Sequence, residues 1–157
     1  NLWDGIGGLV ATDPSVKYLA GKVTIYSSSP ELSRKAMVYY LDMCFGDRKG
    51  LITSKNPETC TPEQVKMFKE MFTGANYKEN YQILNNYVKS FGDTIPPLIH
   101  SYIGLSPSMK TFGTTFDPDF GDCYDTAMMI TIADIYQEKV ERYIDSYESS
   151  KVRITQQ

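Results

Sequence analysis

The chain has 157 residues, with 41% hydrophobic and 22% charged side chains, which is typical of one globular domain with a sizeable core. Its formal net charge of −3 is spread without long runs, so no basic surface of the kind that binds nucleic acid is expected. No apolar run approaches the ~20 residues of a membrane-spanning helix. The composition therefore argues that this chain is not a disordered, a nucleic-acid-binding or a membrane-spanning protein.

The first predicted element is an apolar helix that stops at Pro14. The apolar residues that recur at helical spacing are Leu2, Trp3, Ile6, Leu9 and Val10. Because no start signal precedes it, we interpret residue 1 as a cut inside or just before a helix. Gly5, Gly7 and Gly8 match neither the dinucleotide-binding nor the P-loop spacing, so close helix packing is expected there.

A strand is predicted over residues 18–27, with Gly21 at a bulge or close backbone approach. Ser29 and Pro30 then mark the start of a helix that ends at Gly46. Residues 46–60 lack apolar periodicity and are expected to form a loop. Two further helices follow as an insertion, one with a capping box at Thr61 and one over residues 77–91.

Two strands are predicted near the end of the chain, over residues 109–116 and 127–133, after a proline-led helix. The acidic segment that follows the first of them, residues 117–122, has too much Pro, Gly and Asp for a strand interior. Asp134 is expected to cap a last helix, and the tail from residue 149 onward is polar. The order predicts an α/β fold with a few-stranded mixed sheet, flanking helices and a helical insertion.

The three cysteines share no metal-ligand spacing, and His100 is the single histidine, so no metal site is expected. Free thiols are typical of the reducing cytoplasm, where we expect the protein to lie.

Several short motifs occur in the order in which a known family has them. They are Leu2-Trp3-Asp4-Gly5-Ile6, Tyr18-Leu19-Ala20-Gly21, Ile95-Pro96-Pro97-Leu98-Ile99 and Asp117-Pro118-Asp119-Phe120. Together they resemble the bacterial N-acyl amino acid synthases of the ornithine-lipid and N-acylglycine type, whose members often carry the label hemolysin. Leu105-Ser106-Pro107, Thr111-Phe112-Gly113-Thr114 and Asp134-Ile135-Tyr136 are most similar to the Bacteroidetes branch.

The resemblance implies a partial GNAT-like acyltransferase fold, with residues 1–157 as the C-terminal part of a single acyltransferase domain. Such enzymes pass a fatty acyl group from the phosphopantetheine of acyl carrier protein to the amine of an amino acid of the glycine or ornithine class. No permanently bound cofactor is expected. The implied partners are acyl carrier protein and the amino-acid acceptor, with a peripheral membrane contact in addition. The family's Glu-Leu-Gly-Arg strand and carrier-binding loop precede the helix that starts here, so the acceptor side and part of the acyl channel are expected.

Each candidate site residue has a structural alternative. His100 is the candidate base, but it can equally be a hydrogen-bonded helix residue. Asp117 and Asp119 can hold an acceptor ammonium or simply form the turn. The side chains expected to screen that site from water or to bind substrate are Phe116, Phe120 and Thr111. Cys123 is disfavoured as a nucleophile because no motif places a base beside it.

A non-catalytic lipid- or protein-interaction domain on the same scaffold is the alternative function, and acyl transfer by the full-length protein separates the two. A lytic toxin is less favoured because no amphipathic basic helix is present. Docking to an acidic carrier needs a basic patch, for which Lys17, Lys22, Arg34 and Lys35 are candidates.

Overall fold

The computed structural model describes residues 2–146, with side chains from residue 3, and confirms the α/β class. The helices are α1 (Leu2–Thr12), α2 (Glu31–Phe45), α3 (Pro62–Met71), α4 (Tyr77–Ser90), α5 (Pro97–Ile103) and α6 (Gln137–Val140). The strands are β1 (Tyr18–Ile25), β2 (Lys110–Asp117) and β3 (Cys123–Thr131). This arrangement is consistent with a partial GNAT-like fold. The tail predicted to be polar lies outside the described residues.

The sheet has the order β1-β3-β2, and both pairings are antiparallel. The prediction of a mixed sheet is therefore wrong for the named strands. Among the described residues, parallel pairing is limited to a bridge between Gly46 and Thr111. Within the described residues, β1 pairs only with β3, so its other edge is unpaired.

The loop over residues 46–60 has little regular structure, as predicted, but it is attached to the outer edge of β2. Asp47 N–H donates to the Thr111 carbonyl at 2.8 Å, and Glu58 N–H donates to the Thr114 carbonyl at 2.8 Å. The Asn56 carbonyl accepts from Phe116 N–H at 3.0 Å. Both ends of the loop are thereby fixed to the sheet.

The strand predicted over residues 127–133 begins four residues earlier, at Cys123, and ends at Thr131. The predicted strand began after Asp125 and so left this charged residue outside the sheet. Asp125 is in fact buried, because its carboxylate accepts hydrogen bonds from Lys22 and Thr24 of β1. A partner distant in sequence thus makes the charge tolerable in the central strand.

The structure confirms the predicted helix starts only in part. The capping box of α3 is confirmed, since Thr61 and Gln64 each bond the other's backbone N–H. The predicted caps at Ser29 and Asp134 are wrong. The α2 helix begins after Pro30 with no side-chain cap, and Asp134 instead accepts a hydrogen bond from the Ser108 hydroxyl. The last helix begins at Gln137 and continues into a π-helical turn (Glu141–Asp145).

The core surrounds α2, which contacts β2 of the sheet as well as α3 and α4. Tyr40 is fully buried at its centre, and its hydroxyl donates to the Tyr77 carbonyl at 2.9 Å, so the polar group is satisfied. Further fully buried side chains are Ile25, Met37, Leu41, Phe68, Leu84, Ile99, Met128 and Ile130. The helical insertion therefore belongs to the main core, because Phe68 and Leu84 come from α3 and α4.

Close packing explains one of the glycines of α1. A Cβ at Gly7 would lie 1.9 Å from the carbonyl oxygen of Tyr143 in the π-helical turn, whereas a Cβ at Gly5 would meet nothing within 4 Å. The packing interpretation is thus confirmed for Gly7 and wrong for Gly5.

We expect Gly7→Ala to lower the free energy of unfolding by about 1–3 kcal/mol, because the turn must move away from α1. Gly5→Ala is the matched control on the same helix. It should raise that free energy by up to about 1 kcal/mol, because alanine favours the helical backbone. Urea unfolding of both variants measures the difference, and equal effects at the two positions would contradict the packing seen here.

Candidate functional site

A cavity of about 430 Å³ lies between α2 and the face of β2 and β3 that carries the core. Residues 57–60 of the loop and Val65 of α3 also line it. The walls are predominantly apolar, and the volume falls within the range of small-molecule sites. Among the residues predicted for the site, Thr111 lines this cavity.

A β-bulge forms the threonine-rich wall of the cavity. The register of β2 against β3 shifts between Thr111 and Thr114, and Gly113 in that interval has φ of 86°. The extra residue brings Thr111 and Thr114 to the same face, although alternation would separate them. Thr111 donates to the Leu41 carbonyl at 3.2 Å, and the Thr114 hydroxyl lies 2.7 Å from that of Thr126. These hydroxyls are satisfied within the protein.

A nearly buried charge cluster borders the cavity. The Oε1 atom of Glu58 lies 3.2 Å from Nε of Arg34 and 3.0 Å from Nζ of Lys35. The three side chains are 13%, 11% and 11% exposed, respectively. Lys35 also donates to the Thr59 carbonyl, and the Arg34 guanidinium lies 4.0 Å from the ring centroid of Tyr124. With two cations to one carboxylate, the cluster carries a formal charge of +1.

This cluster corrects the prediction that Arg34 and Lys35 belong to an exposed docking patch. Their charges point inward to the carboxylate of Glu58, which lies 24 residues from Arg34 along the chain. Sequence reasoning missed the cluster, because nothing local to Glu58 indicates that it faces α2. Lys17 is exposed, and Lys22 is half-exposed but bonded to Asp125.

The two predicted phenylalanines lie on opposite faces of the sheet and cannot screen one enclosed site together. Phe116 packs against Tyr124 with ring centroids 5.1 Å apart, on the face that carries Arg34. Phe120 is exposed and lies over the ammonium of Lys22, which is 4.7 Å from its ring centroid. Hydrogen bonding to Asp125 raises the pKa of that lysine.

The acidic turn is stabilised by a hydrogen bond within the turn itself. Asp117 Oδ1 accepts from Asp119 N–H at 3.1 Å and caps the 3₁₀ turn Pro118–Phe120, while Asp119 is exposed. Neither carboxylate lines the 430 Å³ cavity. Their binding of an acceptor stays a prediction.

His100 lies apart from the other predicted residues. It is exposed on α5, with its ring centroid 5.5 Å from that of Tyr81. It borders a separate cavity of about 190 Å³, together with Ser101, Trp3 and Lys139. The described structure therefore does not bring His100 to the cavity that Thr111 lines, and its role as a base also stays a prediction.

The thiols have environments that suppress the reactive thiolate. Burial raises the pKa of Cys44 to about 11 and also raises that of Cys60, which lines the large cavity. Both thiols are protonated near neutral pH, which is unsuitable for a nucleophile. Among the described residues, no group of three His, Cys, Asp or Glu side chains is arranged to hold a metal ion. None of the described helices has the length and apolar character needed to cross a bilayer.

We expect Glu58→Gln to lower the free energy of unfolding by about 3 kcal/mol, because it leaves two nearly buried cations without a counter-charge. Asp42→Asn is the matched control, since Asp42 also lines the cavity but pairs with Arg48 in solvent, at 3.3 Å. Its cost should stay below about 1 kcal/mol. Chemical denaturation measures both values, and equal costs would show that the Glu58 cluster is not a structural anchor.

Two curated proteins are similar to this chain. One is a glycine N(alpha)-acyltransferase of Phocaeicola vulgatus, 40% identical over 147 residues, or 94% of this chain and 45% of the relative. The other is a glycine N(alpha)-acyltransferase of Bacteroides thetaiotaomicron, 39% identical over 147 residues, or 94% of this chain and 43% of the relative. The chain thus spans less than half the length of these relatives. No protein-family model matches it. No solved structure matches it either.

Proposed function

We propose that this chain is part of an N-acyltransferase that moves a fatty acyl group from acyl carrier protein to the amine of glycine. The observation that carries the proposal is the similarity to two glycine N(alpha)-acyltransferases along 94% of the chain. Both relatives are named for glycine, which favours glycine over ornithine as the acceptor. A GNAT-like catalytic domain at the cytoplasmic side of a membrane is the expected setting.

The large cavity is the proposed site of the acyl chain. Its walls are mostly apolar, and the threonine hydroxyls on its sheet side are already hydrogen-bonded, so they present little unsatisfied polarity to a hydrocarbon. The formal positive charge of the cluster around Glu58 lies beside this cavity. That charge is suited to attract the carboxylate of an amino-acid acceptor.

Direct attack of the neutral amine on the thioester is the proposed chemistry. The amine nitrogen forms the new bond to the acyl carbon, the carbon–sulfur bond breaks, and the carrier thiol leaves with a proton. The raised pKa values of Cys44 and Cys60 disfavour an acyl-cysteine intermediate. His100 or a water molecule would take the amine proton.

The test uses protein expressed from the full-length gene, acyl-loaded carrier protein and glycine, with mass spectrometry of the lipid product. We expect N-acylglycine to form faster than the product of any other amine, ornithine included. A preference for ornithine would replace glycine as the acceptor. Absence of product with every amine would favour the non-catalytic interaction domain.

The acidic turn gives a sharper prediction. If Asp117 holds the acceptor ammonium, Asp117→Asn should raise the KM for glycine about thirtyfold, since the lost charge-assisted contact is worth on the order of 2 kcal/mol. Asparagine retains the cap to Asp119 N–H, so the thermal midpoint should not change. Asp119→Asn tests the second carboxylate in the same assay, and unchanged kinetics in both variants would reject the turn as the acceptor site.

A further inference from the structure

The middle of the 46–60 loop is mostly exposed and lies between two ends that are fixed to the sheet edge. We define its tip as residues 48–55. The ends are held by the backbone bonds of Asp47 and Glu58 to β2 and by Thr115 Oγ1, which donates to the Asn56 carbonyl at 3.0 Å. Gly50, with φ of 67°, turns the chain within the tip. The loop base is therefore fixed, and the tip is the part available for contact.

The tip exposes two adjacent aliphatic side chains. Leu51 and Ile52 are 63% and 56% exposed, and neither belongs to a helix or strand. Scattered apolar residues are normal on a surface, but adjacent ones in an exposed loop form a contact patch. The side chains of Leu51 and Ile52 do not belong to the core, so folding gains little from them.

The tip is also basic on an acidic chain. Residues 48–57 contain Arg48, Lys49 and Lys55 and no acidic residue, whereas the chain as a whole has a net charge of −3. Arg48 shares its charge with Asp42, while Lys49 and Lys55 are exposed and enter no salt bridge among the described residues. Aliphatic side chains flanked by cations are the pattern of segments that bind anionic lipid surfaces.

We propose that the tip binds the surface of an anionic bilayer. Leu51 and Ile52 enter the boundary between headgroups and acyl chains, and Lys49, Lys55 and Arg48 contact the anionic headgroups. An exposed aliphatic pair fits a deformable apolar layer, whereas a protein partner would need a matching pocket.

The position of the tip relates this membrane contact to the large cavity. The loop base, at Pro57, Glu58 and Thr59, lines the large cavity, so a docked tip brings that cavity close to the bilayer. If the proposed function holds, an N-acyl product can then pass into the membrane without its chain entering water. This last step rests on the proposed function, but binding of the tip to lipid does not.

The experiment measures co-sedimentation of the full-length protein with vesicles of phosphatidylcholine alone or with 30% phosphatidylglycerol added. We expect binding to the anionic vesicles only. Leu51→Ser/Ile52→Ser should weaken it at least tenfold, because two aliphatic side chains no longer leave water. Lys49→Gln/Lys55→Gln should weaken it about thirtyfold at low salt, and added salt should reduce this difference.

Two matched controls address general surface effects. Leu9→Ser removes an aliphatic side chain that is 58% exposed on α1, and Lys66→Gln/Lys69→Gln removes two exposed charges from α3. Both should bind anionic vesicles like the parent protein. Urea unfolding should give the same midpoint for the tip variants as for the parent. A loss of vesicle binding in these variants then cannot be attributed to unfolding.

Acyl transfer with soluble glycine and acyl carrier protein separates this inference from the proposed function. We expect the tip variants to keep that turnover while they lose vesicle binding. Tip variants that bind vesicles like the parent would overturn the inference. Tip variants that keep vesicle binding but lose carrier-dependent turnover would also overturn it and would identify the tip as a protein-docking surface. Vesicle binding by a protein that transfers no acyl group would leave this inference standing and reject only the proposed function.

Discussion

The carboxylate of Glu58 is the point at which α2, the long loop and the sheet meet. Its side chain accepts from Arg34 and Lys35 of α2, while its backbone N–H donates to Thr114 of β2. One residue thus fixes the loop base to a helix on one side and to a strand on the other. The distance between those two elements defines the width of the large cavity, so the cavity depends on this residue. The direction of the loop tip depends on it as well.

The polar groups around the cavity are arranged so that its interior stays apolar. The bulge at Gly113 turns Thr111 and Thr114 inward, where hydroxyls without partners would be costly. Their bonds to the Leu41 carbonyl and to Thr126 remove that cost. The charges of the nearby cluster likewise face Glu58. The sheet side of the cavity can therefore be lined by three threonines and still suit a hydrocarbon chain.

The sequence predicts those parts of the fold that local signals determine. The α3 capping box and the apolar spacing of the helices depend on neighbours within a few residues, and they were predicted correctly. The start of β3 could not be predicted, because Asp125 is acceptable in a strand only when Lys22 and Thr24 bond it from β1. Burial of Arg34 and Lys35 depends in the same way on Glu58, a partner with no local signature.

The candidate site was predicted at the acidic turn, and the structure divides that region between two faces of one sheet. Asp125 and Thr126 are consecutive in β3, yet the first bonds Lys22 on one face and the second lines the cavity on the other. Alternation along a strand makes this division unavoidable. A ligand can contact groups from both faces only where the strands end. Phe116 and Asp117 are consecutive at such an end, and Phe116 packs on Tyr124, which also carries the Arg34 guanidinium. If the proposed acyl site in the cavity and the proposed acceptor site at the acidic turn are both correct, the turn end of the sheet is where the two substrates would meet.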